Sequence, residues 1–429
     1  MTSRTWLAAM ALLLACLPAQ ADLIFPSLTQ RSGPYAVSGV PFADGYADYF
    51  TLLNERDGGI NGIRIQSPEC ETGNNTGRGV ECYEGTRGLA PLLYQPLSTA
   101  IAARIIPMAA ADGIPVHAMG YGQGFLVDGR TFPGVFTYPA TFWDAASVII
   151  EHLLEQSGGS LAGRHIALVH LDSSFGREPI RMLQVLAIKH GFRLSLHPIA
   201  HPGQEQKAAW AQIAEDRPGH VLLWGWGIMN GLAIREAFAA GFPVDRLIGI
   251  WTSASETDLV AAGAAAGGYR TVALHGSGDG YPLLDEMRKH VVQAGKAAGD
   301  GSSVGQSLYY HGMFAALLAA EAARTAMDLH DTREIDAAMM REGMENLLLD
   351  EERLARLGLP GFAAGLEVNC ADHGGPGVAF IQQWDAAAGQ WRRISPFIEP
   401  DRELIAALVR VEATVYALEN NLPRRECPQ

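Results

Sequence analysis

Short runs of aliphatic and β-branched residues alternate with longer amphipathic stretches along most of the chain. Leu23-Ile24-Phe25 reads as a first strand, followed by a turn over 31–39 and a helix through 46–54. A glycine-rich turn over 58–62 leads into Ile63-Arg64-Ile65 as a second strand, and 79–89 has helical spacing. Further on, 165–170, 192–196, 220–226 and 247–251 have the length and composition of buried strands. Between and after them, 178–190, 208–215 and 231–240 place apolar residues at helical intervals. Strands alternating with helices in this way predict an α/β fold of doubly wound parallel sheets covered on both faces.

Open α/β sheets bind ligands beyond the carboxyl ends of their strands. The residues at those places are Ser32-Gly33-Pro34-Tyr35, Leu97-Ser98-Thr99, Ala118-Met119-Gly120-Tyr121-Gly122 and Asp172-Ser173-Ser174-Phe175-Gly176. Trp224-Gly225-Trp226-Gly227 and Trp251-Thr252-Ser253-Ala254-Ser255-Glu256 complete the set. Small hydroxyls mixed with large rings suit a small amphipathic molecule: hydroxyls and helix N-termini hold an anionic group, and rings cover an apolar body. Each has a plainer reading. Ser98 and Thr99 can simply cap a helix. The tryptophans can be core, and Glu256 a solvated acid.

Composition narrows the function. Hydrophobic residues make up 48% of the 429 and charged residues 18%, so the chain can build a core. Acidic residues outnumber basic ones 46 to 32, and a net charge of −14 argues against nucleic acid or anionic lipid as partners. The N-terminus has the form of an export signal over 1–21. Arg4 precedes an apolar run over 6–17, Pro18 breaks it, and Ala19-Gln20-Ala21 fits a cleavage site that leaves Asp22 first. The rival reading is a lipoprotein box at Leu13-Leu14-Ala15-Cys16. Beyond the leader, Cys70, Cys82, Cys370 and Cys427 are an even number, as expected in an oxidising compartment. Three pairings are open; the one joining nearest neighbours is Cys70–Cys82 with Cys370–Cys427. Neither spacing is a zinc pattern, and Pro198 and Pro202 keep His197 and His201 off a common helical face, so no metal or cofactor is expected. No nucleophile elbow surrounds Ser173 or Ser174, so no catalytic set is expected.

In this order and spacing the motifs resemble the type I periplasmic binding proteins of ABC importers, of the branched-chain amino acid (Leu/Ile/Val) binding group. Ser32-Gly33-Pro34-Tyr35, the turn Asp57-Gly58-Gly59-Ile60-Asn61-Gly62, Leu97-Ser98-Thr99, Ile114-Pro115, Phe175-Gly176 and the loops at Trp224 and Trp251 carry the likeness. It implies two lobes joined by three crossovers that close on a solute like a Venus flytrap. One lobe would hold 22–139 with 281–349, the other 140–280 with 350–391, and 392–429 would form a tail whose helix packs on the second lobe. It also implies a periplasmic monomer that delivers its ligand to permease subunits. Ser98 and Thr99 would take the ligand's carboxylate, with Leu97 beside them. Tyr35, Phe175, Trp224, Trp226 and Trp251 would supply rings, and Glu256 would pair with an ammonium. Two departures matter. Gly122 stands where the family carries a Thr that helps hold the α-ammonium, and Tyr121, next to Gly120, is bulky. A free α-amino acid is therefore disfavoured against an apolar or aromatic carboxylate-like solute. The alternatives are a sensory module reporting to a membrane receptor and an exported hydrolase.

Overall fold

The computed structural model describes residues 21–427, so the expected leader, apart from Ala21, lies outside the described residues. Two sheets organise the chain. In the N-terminal one, Leu23–Ile24 pairs in parallel with Ile65–Gln66, and Ser27–Thr29 with Glu69–Glu71. Parallel bridges Ser27–Gln95 and Tyr94–Val116 carry the layer on to Val116–His117, which pairs in parallel with Val135–Phe136. The helix Ala36–Asp57 lies against this layer and packs along the helix Ser307–Leu329. The two helices approach closely because each offers a glycine to the other: a Cβ on Gly45 would fall 1.9 Å from the Tyr309 carbonyl, and one on Gly312 the same distance from that of Phe42.

The second sheet has seven strands in the order Gln390–Arg393, Phe380–Asp385, Arg270–Ala273, Leu247–Gly249, His220–Trp224, His165–Leu171 and Arg193–Ile199. The run His165–Leu171 shows why it forms: Ile166 and Leu168 point into one buried layer, Ala167 and Val169 into the other. A strand buried on both faces needs no polar alternation. The helices Phe142–Gln156 and Ile180–His190 cover one face, Lys207–Asp216 and Ile228–Ala239 the other. Five strands are parallel, but the last two depart from the expected all-parallel sheet. Phe380–Asp385 runs antiparallel to Arg270–Ala273 and turns back into Gln390–Arg393 as a hairpin. Gly389, at φ +64°, sits in that turn.

Two placements differ from the sequence division. Residues 350–368 sit with the N-terminal body, not with the seven-stranded sheet. Leu348–Leu349 pairs with Leu366–Glu367, and Arg353 on the helix Glu351–Arg356 donates to Glu321 of the long helix at 2.7 Å. The helix Arg402–Glu419 contacts both bodies and not the second alone. The Asp401 N–H donates to Ser147 Oγ at 2.7 Å, and Arg181 pairs with Glu412. On the other side, Phe125 and Phe132 pack on Tyr416, Arg424 pairs with Asp128 at 2.9 Å, and Arg425 with Glu345 at 2.5 Å. Disulfides join Cys70 to Cys82 and Cys370 to Cys427, the second tying the end of the tail to the loop before Phe380.

Candidate functional site

Between the two sheets, at the carboxyl ends of their strands, lies a cavity of about 200 Å³. Its N-terminal wall begins at Leu97-Ser98-Thr99, which opens the helix Thr99–Asp112. Ser98 is the N-cap: the Ile101 N–H donates to its Oγ at 3.4 Å, while the hydroxyl donates to Asn74 Oδ1 at 2.8 Å. Leu97 adopts φ +45°, a conformation a branched side chain resists, and two bonds hold it there. Its N–H donates to the Tyr121 hydroxyl at 2.7 Å, and its carbonyl accepts from Gln30 Nε2 at 2.6 Å. The result is a capped helix start bordering a buried space, and the N-terminal end of a helix is suited to an anion.

The opposite wall is aromatic. Phe175 packs edge-on to Phe142, with centroids 5.3 Å apart, and Phe142 stacks on Trp251 at 5.9 Å. Trp226 stands across from Gln30, and its Nε1–H donates to Gln30 Oε1 at 2.8 Å. The lobes are shut on each other by further direct bonds. Tyr35 OH and His201 Nδ1 are 2.6 Å apart, Trp251 Nε1–H donates to the Gly120 carbonyl at 2.9 Å, and the Gly227 N–H donates to Ser38 Oγ at 3.2 Å. Among the described residues, no Asp, Glu, Lys or Arg lines the cavity; its polar groups are amides, hydroxyls and the imidazoles of His201 and His311.

Two lobes shut over a ring-walled cavity have counterparts among known proteins. A family profile described as periplasmic binding protein matches residues 25–390. The chain belongs to this family. A crystal structure described as an ABC transporter permease from the Pseudomonas fluorescens group is 36% identical over 95% of this chain and 100% of its own, with a TM-score of 0.88. A branched chain amino acid ABC transporter protein from Thermus thermophilus, with bound valine, is 18% identical over 91% of this chain and 99% of its own, with a TM-score of 0.76. A solute binding protein from R. palustris, in complex with benzoate, is 17% identical over 89% of this chain and 98% of its own, with a TM-score of 0.68. No curated protein sequence matches.

The periplasmic binding protein fold brings some of the expected residues together and not others. Leu97, Ser98, Thr99, Tyr121, Phe175, Trp226 and Trp251 line the cavity. Tyr35, Gly120, Gly122, Trp224 and Glu256 do not. Tyr35 and Gly120 form cross-lobe bonds beside it, and the Gly122 N–H donates to Thr99 Oγ1 at 3.3 Å. Trp224 is fully buried behind Phe142. Glu256, expected near a ligand ammonium, instead accepts from the Ser307 N–H at 2.9 Å and the Ser307 hydroxyl at 2.8 Å, at the start of the long helix. Burial pushes its carboxyl up to about 7. The cavity also recruits Gln30, Phe42, Asn74, Phe142, Thr252, His201 and His311, none of them singled out in advance as a ligand contact. Gln30 follows a strand directly and His201 stands two residues past one, so the carboxyl-end rule reaches them; Phe42 and His311, on long helices, carry no such signal.

Proposed function

We propose that the protein is the exported substrate-binding component of an ABC importer, closing on a small solute with an apolar body and a carboxylate-like end and handing it to permease subunits. The observation that carries this reading is the cavity itself: a helix N-terminus capped by Ser98 faces an aromatic wall of Phe175, Phe142 and Trp251, inside lobes held shut by cross-lobe hydrogen bonds. In this reading Leu97, Ser98, Thr99, Tyr121, Phe175, Trp226 and Trp251 surround the ligand. Tyr35, Gly120, Gly122 and Glu256 shape the closed state, and Trp224 supports the wall from behind. Capture makes and breaks no covalent bond; ligand binding shifts an open–closed equilibrium toward the form a permease engages. We place the first crossover near 137–141, the second near 274–281 and the third within 369–379. The leader over 1–21 directs export and is removed, and the mature protein works as a monomer.

The experiment is a thermal-shift screen of the mature protein against amino acids, aliphatic and aromatic acids, their amides, and polyols. A ligand at a hundred times its Kd adds about 2.7 kcal/mol, enough to raise the midpoint by several degrees. Shifts from solutes with apolar bodies are expected. A response to polyols alone overturns the pocket assignment.

A further inference from the structure

Three side chains at the edge of the cavity decide which way a fourth must face. Trp226 Nε1–H can only donate, so the Gln30 atom 2.8 Å from it is the oxygen. Gln30 Nε2 then points the other way, donating to the Leu97 carbonyl at 2.6 Å and to Asn74 at 3.4 Å. A donor needs an acceptor, so the Asn74 atom it reaches is Oδ1. Ser98 requires the same: its Oγ accepts from the Ile101 N–H at 3.4 Å, and its hydroxyl donates to that Oδ1 at 2.8 Å. Asn74 is therefore turned with its oxygen toward these partners and its amide nitrogen away from them.

The chain around Asn74 fixes its place. Its φ is +61°, in the left-handed region that Asn tolerates better than most residues, and its N–H donates to Thr72 Oγ1 at 3.1 Å. Asn75 then caps the helix Thr76–Thr86, accepting from the Arg78 N–H at 3.0 Å. The Cys70–Cys82 disulfide ties the strand before this turn to the helix after it. Asn74, Thr76 and Thr99 all line the cavity, so two helix starts border it beside this amide, and a helix start is its positive end. Among the described residues, Asn74 Nδ2 makes no hydrogen bond to a protein atom. The Tyr35 hydroxyl lies near this amide and is engaged with His201 Nδ1 at 2.6 Å. An amide nitrogen carries two N–H groups, so one remains for the occupant of the cavity even where that hydroxyl accepts the other.

We propose that Asn74 receives the acceptor end of the ligand, its Nδ2–H donating to a carboxylate oxygen, and that its fixed orientation turns away amines of the same shape. This rests on the reading of the cavity as the ligand site and adds the polar contact that sets its selectivity. With no Asp or Glu in the described lining, an ammonium buried there has no partner charge. A carboxylate meets the Asn74 amide and two helix starts. Gln30 and Ser98 are positioning residues: they hold the Asn74 oxygen and so aim its nitrogen.

The test uses matched acids and amines, benzoate against benzylamine and hexanoate against hexylamine, by thermal shift and then calorimetry at neutral pH. The wild type is expected to bind acids and not amines. Asn74→Asp keeps an acceptor for Ser98 and Gln30 and tolerates the same backbone, so its melting midpoint without ligand should hold. It carries no donor, so its affinity for a bound acid should fall about 10- to 150-fold, the range for losing one hydrogen bond to a charged group. The matched amine should now bind. Asn74→Gly, a second variant suited to the left-handed backbone, should lose the acid without gaining the amine. Gln30→Met should narrow the preference for acid over amine, which a loss of packing alone would not do. Acids bound as tightly by either Asn74 variant as by the wild type, or a preference unchanged in Gln30→Met, would overturn the proposal. If the wild type binds acids and amines alike, the cavity stands as a ligand site and only the Asn74 assignment falls; if nothing in the panel binds, both fall.

Discussion

The indole N–H of Trp226 reaches across the cleft to Gln30 Oε1 at 2.8 Å, and the same Gln30 holds the Leu97 carbonyl through its Nε2. One side-chain amide thus joins the ring wall of the second lobe to the helix start that borders the cavity. Trp226→Phe keeps the ring and leaves Gln30 Oε1 buried without its donor, a loss of about 1–3 kcal/mol from the closed form. Calorimetry should show ligand binding weakened about 5- to 150-fold, mainly through faster release.

Ser98 has two jobs, and they can be separated. Its Oγ caps the helix Thr99–Asp112, so Ser98→Ala should cost about 1 kcal/mol of stability without ligand, read by urea unfolding. A larger fall in affinity than in stability would assign the hydroxyl to the ligand as well. Ser98→Gly, which spares most of the cap energy, gives the comparison.

Glu256 makes closure depend on pH. Its carboxyl is raised from 4.5 to about 7 by burial against Ser307, so the closed, folded form prefers it protonated. For an acid raised in this way, the contribution is greatest below the ordinary carboxylate value. It declines as pH rises from about 4.5 to 7, and is level above that. Glu256→Gln keeps a carbonyl acceptor for Ser307 and removes the charge. Melting midpoints taken from pH 4 to 8 should fall less steeply in the variant, which should be the more stable of the two at pH 8.

The two disulfides should contribute unequally. The Cys370–Cys427 bridge spans a sequence separation of 57 and Cys70–Cys82 one of 12. On chain entropy these are worth about 4 and about 3 kcal/mol. The Cys370→Ser/Cys427→Ser double variant should therefore melt lower than Cys70→Ser/Cys82→Ser, as measured by calorimetric scanning.

What could be read from the residues follows from what each signal depends on. The strands His165–Leu171 and His220–Trp224 are visible because burial on both faces makes them continuous apolar runs. The N-terminal layer is harder to read, since its strands are two or three residues long. The helix Ser307–Leu329 is buried nearly all round and so lacks the polar stripe that gives helices away. In the site, Leu97, Ser98, Thr99 and Phe175 could be found because they follow strands or open helices. Glu256 could not be assigned, because its partner Ser307 is 51 residues on and only the packed chain brings them together. Asn74, Phe142 and His311 are single residues without a motif, and the cavity alone gives them meaning.

The tail has a consequence for motion. Its helix is fastened to the second lobe through Asp401 and Glu412, and to the first through Arg424 and Arg425. The Cys370–Cys427 disulfide fastens the end of the tail once more. A strap bonded on both sides of a cleft must give up or stretch some of those bonds before the lobes can part, so the tail sets a cost on opening.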